Sequence, residues 1–185
     1  MTKLGKTLKV SIITVSDRAS RGEYEDKGGP AIRELLGKVF ASKWEADCVI
    51  VPDEVDVIKD ALINASENLG SHLVVTTGGT GPARRDVTPE ATSEVLEKTL
   101  PGFGELMRAV SLKIVPTAIL SRQIAGIRGG SLIINLPGKP SAIEDCLLAV
   151  LPAVVDCLDL LDAPNVEITK GSVPTYRPHK KKQSN

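Results

Sequence analysis

The sequence predicts a single-domain α/β fold, a three-layer α/β/α sandwich on a mostly parallel sheet. Two observations carry this. Strand-length runs rich in β-branched residues alternate with segments whose apolar residues recur every three to four positions, and each run ends in a polar loop rich in Gly, Pro, Ser or Asp. A length of 185 residues suits one domain with a short appendage. The expected division is a domain over residues 1–165 and a polar, lysine-rich tail over 166–185.

Taken in order, residues 8–16 (LKVSIITVS) read as a buried strand that closes on Ser-Asp-Arg. Pro30 opens an amphipathic helix with Ile32, Leu35, Leu36, Val39 and Phe40 on one face. Residues 46–51 form a second strand, stopped by Pro52. Val57, Ile58, Ala61, Leu62, Ala65 and Leu69 then share a helix face, and Gly70 ends that helix. Residues 73–76 make a third strand that runs into TGGTGP. Thr88 is the expected N-cap of the next helix, with Pro89 at its first position. Phe103, Leu106, Met107 and Val110 line a further helix. Residues 132–136 give a fourth strand, followed by PGKPSA and a long apolar helix from about Ser141, kinked or restarted at Pro152. From Ala163 onward the composition predicts a solvated, mobile terminus.

Composition removes several functions. Lys plus Arg equals Asp plus Glu at 23 each, and aromatic residues are 3%, so the chain lacks both the charge and the stacking platforms of a nucleic-acid binder. No apolar stretch approaches the length of a membrane span, and residues 1–9 lack the apolar core of a secretory signal. The three cysteines, at 48, 146 and 157, form no CxxC pair, which points to a reducing cytoplasmic setting with the thiols as small buried hydrophobes. Two histidines, His72 at a strand start and His179 in the tail, are too few for a Ser-His-Asp relay or a histidine zinc site. Walker A is absent. GxGxxG is absent too, because Arg84 stands where the third glycine would be.

What remains is a set of loops at strand ends. In an open parallel sheet the carboxyl ends of the strands share one edge, and ligands bind in the crevice there. Ser16, Asp17 and Arg18 follow the first strand, Pro52 and Asp53 the second, Thr77, Gly78, Gly79, Thr80 and Gly81 the third, and Pro137, Gly138, Lys139, Pro140 and Ser141 the fourth. The glycines of TTGGTG allow successive N–H groups to face an anion, although a tight strand-to-helix turn alone would also use them. Arg84 and Arg85 add permanently charged phosphate partners. Asp53 and Asp86 are hard oxygen donors of the kind Mg²⁺ takes, while a turn residue at Asp53 or a helix cap at Asp86 would explain each separately. Pro140 can open the last helix, whose free first-turn N–H groups make a second anion site with Ser141 and Lys139. Two anion cradles on one edge imply a ligand with phosphates at both ends, or two phosphorylated ligands.

These residues together resemble a known family. SDRASRGEYEDKGGP (16–30), PDE (52–54), TTGGTGPARRDVTPEAT (76–92) and AGIRGGSLIINLPGKPSAIEDCLLAVLPA (125–153) are similar to the MogA family of molybdopterin adenylyltransferases, whose plant and animal relatives are the G domains of Cnx and gephyrin. The resemblance spans about residues 8–161, and the retained RDVTPEAT and PGKP-type segments place the chain with the catalytic branch. It implies transfer of AMP from ATP to the terminal phosphate of molybdopterin, with Mg²⁺ required and pyrophosphate released. It also implies Asp53 and Asp86 as the functional aspartates, the GGTG and PGKPSA loops as pterin and nucleotide loops, a homotrimer, and delivery of product to a molybdenum-inserting enzyme. Asp53 and Asp86 would hold the Mg²⁺, with either one touching the metal and the other orienting it or the nucleophile. A module that carries molybdopterin without adenylylating it is the alternative.

Overall fold

The computed structural model of the chain describes residues 7–178. The basic end of the tail, with His179, and residues 1–6 of the N-terminal stretch lie outside the described residues. The elements run β1 (Leu8–Val15), α1 (Asp17–Ser20), α2 (Gly28–Val39), β2 (Trp44–Val51), α3 (Val55–Ile63), β3 (Leu73–Thr77), α4 (Thr88–Val95), β4 (Lys98–Thr99), α5 (Pro101–Leu112), β5 (Ala125–Arg128), β6 (Ser131–Leu136) and α6 (Pro140–Leu160). The sheet order is β2-β1-β3-β6-β5-β4. Its first four strands are parallel, and β5 and β4 extend it in antiparallel pairing.

The alternation of side chains along each central strand makes the three layers. Leu8, Val10 and Ile12 of β1, Leu73 and Val75 of β3, and Leu132, Ile134 and Leu136 of β6 face a cluster completed by α2, α5 and α6. Ile13, Val15, Val74 and Ile133 face the opposite cluster with α3 and α4. β3 and β6 are buried on both faces, which explains their unbroken apolar runs.

Four expectations need correction. The sheet has six strands rather than four, because β4 is two residues long and β5 four, too short to carry a periodic signal. Thr88 does not cap α4; it is the first helical residue, and its hydroxyl donates to Gly78 O at 2.9 Å. α6 passes Pro152 as one 21-residue helix, since packing of Val150, Leu151, Val154 and Val155 outweighs the lost backbone donor. Residues 163–178 pack back on the domain: Val166 is buried, Ile168 bridges to Phe40, and Arg177 donates to both carboxylate oxygens of Asp159 at 2.7 and 2.5 Å.

The cysteine expectation divides. Cys146 and Cys157 are buried, but Cys48 is exposed, with Val49 and Ile50, on the edge strand β2. His72 accepts from the Lys9 amide through Nδ1 at 3.0 Å, a structural link between strands. Among the described residues no helix is long and apolar enough to cross a membrane.

Candidate active site

The four parallel strands bring their carboxyl-end loops to one edge, in the order β2, β1, β3, β6. After β1, the Ser16 hydroxyl accepts from Ala19 N at 3.2 Å and caps the single turn α1. This presents the Asp17 amide to the β2 loop, where it donates to Asp53 Oδ2 at 2.7 Å, while Asp53 N donates to Asp17 Oδ1 at 3.1 Å. Arg85 forks onto Asp17 with Nε to Oδ2 at 2.9 Å and Nη2 to Oδ1 at 2.8 Å. Arg18 lies over the Tyr24 ring, 5.0 Å from its centroid. Of the two arginines expected to meet phosphate, Arg85 is therefore paired with Asp17 and Arg84 stands exposed, while Arg18 of the first loop is stacked.

The two neighbouring aspartates differ in electrostatics. The Arg85 hydrogen bonds hold the Asp17 carboxyl below its ordinary range. Desolvation pushes Asp53 above it, opposed by the hydrogen bond from Asp17 and reinforced by the negative charges of Asp17 and Asp86.

After β3, Gly79 adopts φ +62°, a conformation costly for any residue with a Cβ. A Cβ there would stand 3.0 Å from Asp53 Oδ1, so the absent side chain lets the carboxylate lie against the loop. Two positions on, a Cβ at Gly81 would stand 2.8 Å from Asp86 Oδ2. Asp86 closes its own turn, its Oδ2 accepting from Ala83 N at 2.9 Å. The cap of α4 is Val87 and that of α3 is Glu54, neither with a capping side chain, so neither Asp86 nor Asp53 is spent as a helix cap. The structure thus brings Asp53 and Asp86 to the same glycine loop.

After β6, Thr77 Oγ1 donates to Pro137 O at 2.8 Å, and Gly138 packs so that a Cβ on it would meet Gly78 Cα at 3.4 Å. The GGTG and PGKP turns are therefore adjacent. Lys139 occupies the N-cap of α6 without a side-chain cap bond, Pro140 opens the helix, and Lys139 and Ser141 are exposed. In that first turn Ala142 N and Ile143 N both donate to Lys139 O at 3.0 Å and Pro140 has no N–H, which leaves the Ser141 amide to face solvent or an anion. Thr80, by contrast, is buried beneath the loop.

Residues passed over in the sequence complete the edge. A pocket of about 130 Å³ is lined by Thr14, Ser16, Asp26, Gly28, Thr77 and Gly138, among others. Asp26 Oδ1 accepts from Gly28 N and Gly29 N at 2.9 and 3.2 Å, and its Oδ2 accepts from the Thr14 hydroxyl at 2.8 Å. The signal was an aspartate two residues before a Gly-Gly-Pro helix start, the spacing of a side-chain turn onto the backbone. Arg122, in the segment before β5, reaches the GGTG loop and had no local signal.

The chain as a whole is similar to known proteins. A family profile described as “Probable molybdopterin binding domain” matches residues 11–156. A Helicobacter pylori (strain J99) protein named molybdopterin adenylyltransferase is 53% identical over 173 residues, covering 94% of this chain and 98% of its own. An Escherichia coli (strain K12) protein of the same name is 45% identical over 184 residues, covering 93% and 94%. The solved structure of the molybdopterin biosynthesis Mog protein from Mycobacterium ulcerans superposes with a TM-score of 0.77 at 36% identity, covering 83% of this chain and 98% of that one.

Proposed function

The chain belongs to the molybdenum cofactor biosynthesis family defined by that molybdopterin-binding domain, and from this premise we propose how its sheet edge works. It is a molybdopterin adenylyltransferase, and the reaction is a step of molybdenum cofactor biosynthesis. AMP passes from ATP to molybdopterin: an oxygen of the terminal phosphate of molybdopterin bonds to the α-phosphorus, the bond from that phosphorus to the bridging oxygen breaks, and pyrophosphate leaves. The reaction joins two anions, so positioning and charge neutralisation are the main requirements, and no covalent protein nucleophile is needed.

The observation that carries this reading is the placement of Asp53 and Asp86 against Gly79 and Gly81 of one loop. In our reading the backbone amides of residues 79–81 and the Ser141 amide in the first turn of α6 seat the phosphates, and Arg84 and Arg85 offset their charge. Arg85 would exchange its Asp17 partner for a phosphate, since a planar guanidinium can donate two parallel hydrogen bonds to a pair of oxygens of either group. Ser16, Arg18, Lys139 and Ser141 border the bound ligands.

Asp53 and Asp86 suit magnesium. Their oxygens are hard donors, and among the described residues no cluster of three or more His, Cys, Asp or Glu forms a metal cage of its own. Mg²⁺ commonly takes one or two carboxylates and fills its shell with phosphate oxygens and water. When bound, the ion would supply Lewis-acid neutralisation of the nucleotide phosphates.

The reading extends to a cytoplasmic homotrimer that hands its product to a molybdenum-inserting enzyme. The three free thiols fit a reducing compartment. Exposed Leu112, Ile114, Val115, Ile119 and Leu120, at the end of α5 and in the turn after it, fit a subunit contact, which sedimentation tests.

The experiment is to incubate the protein with molybdopterin, ATP and Mg²⁺ and quantify adenylylated molybdopterin. Asp86→Asn should lower turnover by roughly 10²-fold or more while molybdopterin affinity persists. Folded wild-type protein that binds molybdopterin without making product would identify a carrier instead.

A further inference from the structure

Arg122 gathers a set of contacts that no helix or strand requires. It follows the 3-10 turn Pro116–Leu120, and its backbone N donates to Thr80 O at 2.9 Å. Its side chain then spans the turn that follows the GGTG loop: Nε donates to Gly81 O at 2.8 Å and Nη2 to Asp86 O at 2.6 Å, while Nη1 pairs with the Glu90 carboxylate on α4. Gly81 and Asp86 are the two residues whose approach brings Asp86 Oδ2 to the loop.

We propose that Arg122 is a positioning residue for adenylyl transfer, holding the 81–86 turn closed so that the Asp86 carboxylate stays over Gly81. This rests on the reading of Asp86 given above. Between Gly81 and Asp86 the chain has no sheet partner; its internal bonds, Asp86 N to Ala83 O and Ala83 N to Asp86 Oδ2, curl its second half, and Arg122 supplies the donors that tie its two ends, Gly81 O and Asp86 O, together. A guanidinium is a rigid fork that can bridge two carbonyls at a fixed separation, which an ammonium cannot do. The Glu90 pairing is secondary: the two side chains are 36% and 47% exposed, and solvent screens the attraction.

Four variants, Arg122→Lys, Asp86→Asn, their double variant and Glu90→Gln, are compared in steady-state kinetics for ATP and molybdopterin. The expected result is that Arg122→Lys lowers kcat by roughly 10²-fold with KM changed less than about threefold, the size of loss an ångström-scale misplacement causes. The double variant should be no slower than Asp86→Asn within about twofold, because both changes disable one unit. Glu90→Gln should stay within about threefold of wild type. Wild-type kcat in Arg122→Lys beside an inactive Asp86→Asn overturns the inference alone, and so does a loss in the double variant equal to the product of the single losses. Wild-type kcat in Asp86→Asn overturns the reading of Asp86 and this inference with it. Arg122→Gln is the second variant, and circular dichroism of both must be native; loss of fold in both would show a structural role and also overturn the inference.

Discussion

Asp17 and Asp53 clasp one another, each backbone amide donating to the other's carboxylate, at 2.7 Å from Asp17 N and 3.1 Å from Asp53 N. Both loops are thereby locked at the end of the β1–β2 pair, yet the two acids are tuned oppositely, Asp17 downward by Arg85 and Asp53 upward by burial.

The Asp17–Arg85 pair predicts an acid-side loss of stability. Because the folded Asp17 carboxyl titrates below its ordinary value, its contribution is fully present above that value and is lost as pH falls through the lower, folded one. The pair is partly solvated, with Arg85 58% and Asp17 24% exposed, so solvent screening keeps the contribution small. Arg85→Gln should melt below wild type at pH 7 and converge with it as pH falls through the folded Asp17 value. A gap in melting temperature that stays constant across this range would show that the pair does not titrate.

Asp53 carries the opposite sign. Its folded carboxyl titrates above the ordinary value, so its stabilising contribution is complete below that value and is lost as pH rises through the folded one, leaving an ionised, partly desolvated group at neutral pH. Asp53→Asn keeps an acceptor for the Asp17 amide without the charge. In chelator at pH 7 it should melt about 1–3 °C above wild type, while adenylyl transfer falls roughly 10²-fold. A lower melting temperature in calorimetry would contradict the assignment.

Gly79→Ala should lose both fold stability and activity. Alanine at φ +62° costs roughly 1–2 kcal/mol, and the added methyl would crowd Asp53 and Thr88. Thermal unfolding should begin about 2–8 °C earlier. A glycine needed for flexibility alone would leave the melting point unchanged.

Thiol labelling should follow burial. Native protein at neutral pH should consume one equivalent of a maleimide at Cys48, and slowly, because desolvation raises that thiol above its ordinary value. Cys157, pushed up to about 11 by burial, and the buried Cys146 should react only on unfolding. Mass spectrometry of the labelled peptides checks the order.

The central strands and their loops were legible because each strand carries a β-branched, mostly apolar run, and the loops after β2, β3 and β6 open on Pro52, Gly78 and Pro137, residues that end a strand. β4 and β5 were not, since two and four residues cannot display a period. Lys139, Pro140 and the GGTG glycines could be placed from local chemistry. Arg122 and Asp26 could not be valued from sequence: Arg122 acts 41 positions away, on Gly81, and the meaning of Asp26 depends on Thr14 across the pocket. The tail was misjudged for a related reason, as Arg177 finds its partner Asp159 on a helix that composition alone does not bring near.

The contact between Gly138 and Gly78 gives the edge an internal gauge. In the proposed reading, the interval separating the two anion seats is set by this close approach of the main chains and by the Thr77 hydroxyl bond to Pro137 O. Replacing neighbouring side chains can strengthen or weaken the hold on either phosphate, but ligands with a longer or shorter bridge between their phosphates would be accommodated only by moving a strand.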